Sequence, residues 1–164
     1  MAYIHKFFVN SYDYLFFLIL FLIGIYFYKD FGFNIDESFQ RKSGLYWLKY
    51  VSDFFQANDF SILVEKKLET ADDFTIPWFG DYGIIFDLPA AFFEVYLNIN
   101  DPLKIYEFRH LLNYTYFIIG VFFFYKLIKK RFSGNFLPVL ASLMLVLTPR
   151  VFGDSFHNNK DIIF

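Results

Sequence analysis

Three long apolar runs without a charged side chain constrain this sequence most strongly. They cover residues 14–28, 111–125 and 136–148. Each approaches the length of about 17 to 25 residues that a helix needs to cross the hydrocarbon core of a bilayer. Of the 164 residues, 57% are hydrophobic and 26% are aromatic, which is well above the composition of a soluble domain. The sequence therefore predicts an all-α, polytopic membrane protein.

Composition also argues against several classes of function. The chain has no cysteine, so disulfides, thiolate catalysis and cysteine-ligated metals are excluded. The net charge is -2 and no basic stripe is interleaved with aromatic side chains outside the apolar runs, so no nucleic-acid partner is expected. Glycine-rich phosphate loops are absent from the sequence, which disfavours nucleotide binding.

The distribution of basic residues predicts the topology. The densest basic cluster, at residues 126–131, follows the second apolar run and should be cytoplasmic by the positive-inside rule. With the amino terminus inside, the predicted spans are about 14–29, about 107–128 and about 136–149, joined by a cytoplasmic turn at 129–135. The extracytoplasmic side then holds a loop at about 30–106 and a polar motif at 150–161.

The first extracytoplasmic loop is predicted to contain amphipathic helices that lie along the membrane surface. Apolar positions recur with helical spacing after Asp36 and up to residue 58. The polar positions of that helix are Arg41, Lys42, Lys49 and Asp53. Residues 60–68 form a shorter element. Residues 84–97 are predicted to be a juxtamembrane helix, interrupted by Asp87, Pro89 and Glu94, with both acids facing the interface.

Two adjacent carboxylates, Asp36 and Glu37, follow the first apolar run closely. Acidic groups near hydrocarbon are costly unless they are solvated, paired or used, so the pair is a candidate site. An alternative is purely structural. Asn34 and Glu37 have the spacing of a capping box, in which both acids favour the positive end of a helix dipole. The sequence leaves both interpretations open.

The second polar motif follows the third apolar run. Residues 150–161 combine acids, bases and amides directly after a membrane exit, as a polar pocket at the interface requires. The alternative is an ordinary polar loop with a second helix cap. Asp154, His157 and Asp161 also form a weak metal-ligand pattern. No metal is assigned on that basis, and a divalent metal stays open as a cofactor.

These motifs together resemble those of the GT-C membrane glycosyltransferases, among them the dolichyl-phosphate-mannose protein mannosyltransferases and the bacterial lipid A aminoarabinose transferases. The matching residues are Asp36-Glu37, Tyr82-Gly83 with the helix after it, the run 109–112, Pro149-Arg150 and the run 159–161. The chain departs from several relatives at Ile76-Pro77, where they carry a Lys-Pro pair near the donor phosphate. The family usually has more than three membrane helices, so the chain is expected to be the amino-terminal part of a longer enzyme.

The resemblance implies a reaction and a set of roles. A glycosyl group would pass, with inversion, from a polyprenyl-phosphate-linked sugar to a protein or lipid acceptor outside the cytoplasm. Asp36 matches the base that accepts the acceptor's proton, while Glu37 or Asp161 would stabilise positive charge on the sugar ring. The groups implied to bind the donor phosphate are Arg109, His110, Arg150 and Lys160, with His157 as a further hydrogen-bond donor. Alternatively, Arg109 and Arg150 are snorkelling helix anchors.

The expected location is an integral, multi-pass position in a membrane, the plasma or inner membrane if the source is bacterial, with the active site on the extracytoplasmic side. The main alternative function is a non-catalytic membrane subunit or assembly factor, in which Asp36 and Asp161 only cap helices. A transporter is disfavoured because the three apolar runs contain no acidic residue.

Overall fold

A computed structural model of the chain describes residues 11–71 and 84–160, and every regular element within those ranges is an α-helix. The helices are α1 (Ser11–Phe27), α2 (Ile35–Phe54), α3 (Asn58–Glu69), α4 (Ile84–Tyr96), α5 (Pro102–Arg131), α6 (Phe136–Val146) and α7 (Pro149–His157). The all-α prediction is thus confirmed for the described residues. They divide into two compact units, unit 1 within residues 1–31 and 110–164 and unit 2 within residues 32–109.

Unit 1 is built on α1 and the larger part of α5. Near the start of α1, the Asp13 carboxylate accepts a hydrogen bond from the Tyr125 hydroxyl at 2.6 Å. Farther along α1, the Leu20 carbonyl oxygen accepts one from the Tyr114 hydroxyl at 2.7 Å. Residue numbers therefore rise along α1 as those of its partners fall along α5, so the two helices are antiparallel neighbours.

These helices pack tightly at Gly24. A Cβ atom built on Gly24 would lie 2.1 Å from Cε1 of the Tyr114 ring, closer than two carbon atoms can pack. The ring is fully buried and its hydroxyl is bound to the Leu20 carbonyl, so it has little room to withdraw. Glycine at position 24 is therefore a packing requirement of unit 1.

Gly24→Ala is expected to destabilise unit 1 by about 1 to 3 kcal/mol, the usual effect of forcing an extra methyl group into a packed site. Gly120→Ala is the matched control, since Gly120 also lies on a helix of unit 1 but a Cβ there meets nothing within 4 Å. That control should be neutral or stabilising because alanine favours helices. Unfolding in detergent, followed by circular dichroism, measures both variants, and an equal loss of stability in the two would contradict the packing argument.

The predicted third span ends earlier than expected. Residues 136–149 do not form one straight helix, because α6 ends at Val146 and α7 begins at Pro149, with the two axes bent by 68°. The ring of Pro149 disfavours helical conformation in the residue before it, and Thr148 is extended, with φ -66° and ψ 115°. Proline is favoured at the first position of the following helix. Residues 150–157 therefore lie in a helix, and the alternative of an ordinary polar loop does not describe them.

Among the described helices, α5 is long and apolar enough to cross a membrane on its own. It extends beyond the predicted span of 107–128 at both ends. The bent pair of α6 and α7 meets the same criterion only when the two are joined, and α1 is apolar but shorter. The described structure thus contains one clearly membrane-capable helix.

Unit 2 comprises α2, α3, α4 and the first turns of α5, and its core lies where α2 packs on α3 and α4. The core side chains are Leu45, Leu48, Val64, Ala71, Ala91 and Val95. The backbones of α2 and α4 pack against each other at Gly44. A Cβ atom on this residue would lie 2.3 Å from the Asp87 carbonyl oxygen. The short element predicted at 60–68 is confirmed as α3.

Two predictions about unit 2 were wrong. Helix α4 is continuous through Pro89, and the acids at its ends do not face an interface, since Asp87 is 4% exposed and Glu94 is 1% exposed. Arg41 and Lys42, expected on the polar face of α2, are buried as well. The physical reason is that charges of opposite sign meet inside the unit and compensate one another.

Candidate functional site

The two adjacent carboxylates at the start of α2 have different environments. The Glu37 carboxylate accepts a hydrogen bond from the Asn34 backbone N–H at 2.9 Å, and the Asn34 side chain accepts one from the Asp36 N–H at 3.3 Å. Asn34 is extended, at φ -96° and ψ 139°, as an N-cap residue must be. The capping box predicted from the sequence is thus confirmed. Glu37 is 3% exposed, whereas the Asp36 side chain is exposed.

Arg109 lies in the part of α5 that belongs to unit 2, where it is buried. Its guanidinium pairs with the Asp87 carboxylate through Nη2 and lies 5.3 Å from the centre of the Phe86 ring. Its other terminal nitrogen, Nη1, is buried and has no hydrogen-bond partner among the described residues. A snorkelling anchor would reach towards water, so that alternative does not fit Arg109.

The remaining predicted phosphate-binding residues belong to unit 1. His110 is buried, with Nδ1 3.3 Å from the Tyr28 carbonyl oxygen. The Arg150 side chain is 85% exposed, and its Nε lies 3.5 Å from a carboxylate oxygen of Asp154, one turn along α7. Lys160 is half-buried. Arg150 is therefore the most accessible cation of this group.

Asp154 and His157, two residues of the weak metal-ligand pattern, lie near each other on α7. His157 Nε2 lies 3.9 Å from Asp154 Oδ1, too far for a good hydrogen bond. Asp161, which belongs to this weak pattern and was predicted as a catalytic residue, lies outside the described residues, as do Tyr82 and Gly83 of the resemblance. Within residues 11–71 and 84–160, no group of three histidine or acidic side chains is arranged to hold a metal ion.

Known proteins do not extend this picture. No family model, curated protein or solved structure significantly matches the chain. Any functional assignment therefore depends on the chemistry and placement of the residues themselves.

A buried ion pair in unit 2, between Arg41 and Glu94, was not predicted from the sequence. Arg41 Nε donates to the two carboxylate oxygens of Glu94 at 3.1 and 3.0 Å, and Nη2 donates to one of them at 2.7 Å. Burial by itself lowers the pKa of Arg41, but the hydrogen bonds and negative charge of Glu94 raise that pKa above its ordinary value. The signal in the sequence was the presence of two acids, Asp87 and Glu94, within the largely apolar helix α4.

A second missed cluster lies in unit 1. The Asp13 carboxylate, buried in the first turns of α1, binds the Tyr125 hydroxyl and pairs with Lys129. The first helix was predicted to begin after Asp13, so this acid was assigned to a polar amino-terminal segment. The cluster joins the first turns of α1 to the basic end of α5.

Proposed function

We propose that this chain is a GT-C-type membrane glycosyltransferase, or part of one, that transfers a sugar from a polyprenyl phosphate to a protein or lipid acceptor outside the cytoplasm. The observation that carries the proposal is that the two adjacent carboxylates, Asp36 and Glu37, differ in exposure. Glu37 is buried in the helix cap, and this leaves Asp36 exposed at a fixed position on the first turn of α2. A general base needs this combination of accessibility and a rigid support.

The proposal includes three membrane crossings, by α1, by α5 and by the segment at residues 136–149 that contains α6. Support comes from the apolar side chains that α1 and α6 leave exposed along one stripe each. On α1 these are Leu15, Leu18, Leu22 and Ile25, and on α6 they are Leu137, Leu140 and Met144, followed by Leu147. Continuous apolar surfaces of this kind are rare on soluble monomers and suit contact with lipid.

The proposed sidedness rests on the Asp13 cluster. Because Asp13 pairs with Lys129, the amino-terminal end of α1 lies at the same end of unit 1 as the basic cluster. The positive-inside rule assigns that end to the cytoplasm. The chain then leaves α1 on the outside, shortly before Asp36.

Reporter fusions test this topology. A reporter placed after Asn58 should be active as alkaline phosphatase and dark as green fluorescent protein, whereas a reporter placed after Arg131 should behave in the opposite way. These results are expected because α5 crosses the bilayer between the two positions, with Asn58 outside and Arg131 in the cytoplasm. Finding the two positions on the same side would remove α5 as a span and, with it, the proposed location of Asp36.

In the proposed mechanism, Asp36 accepts the proton of an acceptor hydroxyl as its oxygen forms a bond to the anomeric carbon of the sugar. The bond from that carbon to the phosphate oxygen breaks, and the configuration inverts. The leaving lipid phosphate needs cations. The exposed Arg150 is proposed to contact it, and so is Arg109, whose Nη1 has no hydrogen bond to any described residue. That Asp36 and Asp161 share one ligand is part of the proposal and stays a prediction.

Transfer is tested directly with membranes that contain the chain. They are incubated in turn with radiolabelled undecaprenyl-phosphate-linked mannose, glucose and aminoarabinose, and label is counted in the extracted lipids and proteins. The proposal expects incorporation from at least one donor above the level of membranes that lack the chain. Retention of the same donors by the purified chain is measured in parallel by native mass spectrometry. The proposal is contradicted if none of the three donors is retained by the chain and none gives incorporation.

A second candidate function is a non-catalytic membrane subunit. It is favoured by the structural roles of two predicted site residues, since Glu37 closes a helix cap and Arg109 pairs with Asp87. Under this alternative, the chain binds no sugar donor and Asp36 only favours the positive end of the α2 dipole. The donor-retention measurement separates the two functions.

A further inference from the structure

A cavity of about 420 Å³ lies within unit 2, between the last turns of α3 and the end of α4. We call it the α3–α4 cavity. Its polar lining comes from Lys66, Lys67, Thr70, Asn98 and Asn100. None of the residues proposed for sugar transfer lines it, so its role is independent of that proposal. Its volume is within the range of about 300 to 1,000 Å³ that is usual for small-molecule sites.

The unusual feature of the cavity is the charge of Lys67. The residue is 8% exposed, and its ammonium group donates to the Ile99 carbonyl oxygen and, at 2.7 Å, to the Asn100 side-chain oxygen. Both partners are neutral. Burial lowers the pKa of Lys67, as expected for a cation that is removed from water and whose hydrogen-bond acceptors among the described residues are neutral.

The Glu94 carboxylate acts on Lys67 but does not neutralise it. The charge of Glu94 favours the protonated lysine, while that of Arg41 opposes it. Glu94 already makes three hydrogen bonds to Arg41. The three buried side chains together carry one excess positive charge when Lys67 is protonated. Buried charges are normally compensated, so this arrangement calls for an anion beside Lys67.

The rest of the lining identifies the kind of anion. Lys66 is exposed and supplies a second cation, and the Asn98 side chain supplies an amide group. The Thr70 hydroxyl and the Asn100 amide nitrogen already donate to the carbonyl oxygens of Lys67 and Asn98, so the two lysines are the main groups for a ligand. Two ammonium groups suit a phosphate, which has several strong acceptor oxygens. The exposed apolar groups of Leu63 and Tyr96 also line the cavity and suit the organic substituent of a phosphate ester.

We propose that the α3–α4 cavity binds a phosphate group, with Lys67 as the buried cation and Lys66 as the cation at the rim. The phosphate belongs either to the headgroup of an anionic membrane lipid or to a free phosphate ester. Both sources present the same oxygens to the two lysines, and they differ in whether a bilayer lipid is required.

The test uses the full chain purified in a non-ionic detergent. Calorimetric titration with inorganic phosphate and with glycerol 3-phosphate measures the free source, and native mass spectrometry with phosphatidylglycerol against phosphatidylcholine measures the lipid source. Lys66→Gln removes the exposed cation and Lys67→Met removes the buried one. Each is expected to weaken binding by about tenfold or more, equivalent to about 1.4 kcal/mol per tenfold. Lys104→Gln is the charge-matched control, because Lys104 is exposed in unit 2 and does not line the cavity.

Binding of a free phosphate that both cavity variants weaken and the control retains would support a soluble ligand. Retention of phosphatidylglycerol alone, with the same pattern among the variants, would support a lipid headgroup. If Lys67→Met fails to fold, Lys66→Gln decides the result, since an exposed side chain can be changed without loss of packing. The proposal is overturned if the wild-type chain binds none of the probes or if Lys104→Gln weakens binding as much as Lys66→Gln.

Discussion

Replacement of Asp36 by asparagine is expected to lower the rate of glycosyl transfer by about 10² to 10⁴-fold, the usual contribution of a general base. Asparagine has nearly the same shape but cannot accept a proton from the acceptor hydroxyl. The helix cap should survive, because it uses the backbone N–H of Asp36 and the side chains of Asn34 and Glu37. The measurement is the transfer rate at saturating donor, with donor retention determined on the same preparation.

Two control variants separate chemistry from charge and structure. Asp59→Asn removes the same charge from an exposed residue in the first turn of α3, so its transfer rate should stay at the wild-type level. Glu37→Gln keeps an acceptor for the Asn34 N–H and should preserve both the cap and most of the activity. Full activity of Asp36→Asn, or an equal loss in Asp59→Asn, would remove Asp36 from the mechanism. A loss confined to Glu37→Gln would assign the base to Glu37.

The features that the sequence predicted correctly are local ones. The capping box depends on Asn34 and Glu37, which are three positions apart, so their spacing alone specifies the contact. The short element predicted at residues 60–68 is local as well, and it corresponds to α3. The bend before α7 is also encoded locally, because Pro149 restricts Thr148. The third span was predicted to end at this proline, but no helix was predicted for the residues after it.

The features that the sequence did not predict join distant positions. Arg41 and Glu94 are 53 residues apart, and Asp13 and Tyr125 are 112 apart. Without a partner nearby in the chain, an acid in α4 could only be assigned to the membrane interface. Burial of Glu94 depends on the close packing of α2 and α4, which no periodicity within one helix specifies. The candidate site inherits this limit, since Arg109 is oriented by Asp87 from another helix.

Breaking the Arg41–Glu94 pair by one substitution is expected to cost unit 2 about 3 to 5 kcal/mol of stability. Arg41→Met leaves the Glu94 carboxylate buried at 1% exposure without its three hydrogen bonds. Glu94→Leu likewise leaves the Arg41 guanidinium buried without its carboxylate partner. Unfolding by denaturant in detergent measures the loss. The sequence has two tryptophans, Trp47 on α2 and Trp78. In a Trp78→Phe background, the tryptophan fluorescence comes from Trp47 and reports the unfolding of unit 2.

The double variant Arg41→Met/Glu94→Leu should recover most of that loss, because apolar side chains of similar volume remove both desolvation penalties at once. A more exposed pair between α2 and α3 supplies the contrast. Lys49 Nζ lies 3.2 Å from a carboxylate oxygen of the exposed Glu65, so Glu65→Gln should cost at most about 1 kcal/mol. If the double variant were as unstable as the sum of the two single variants, the pair would not act as a unit. The excess charge assigned to Lys67 would then need another explanation, since it assumes that Glu94 is already neutralised by Arg41.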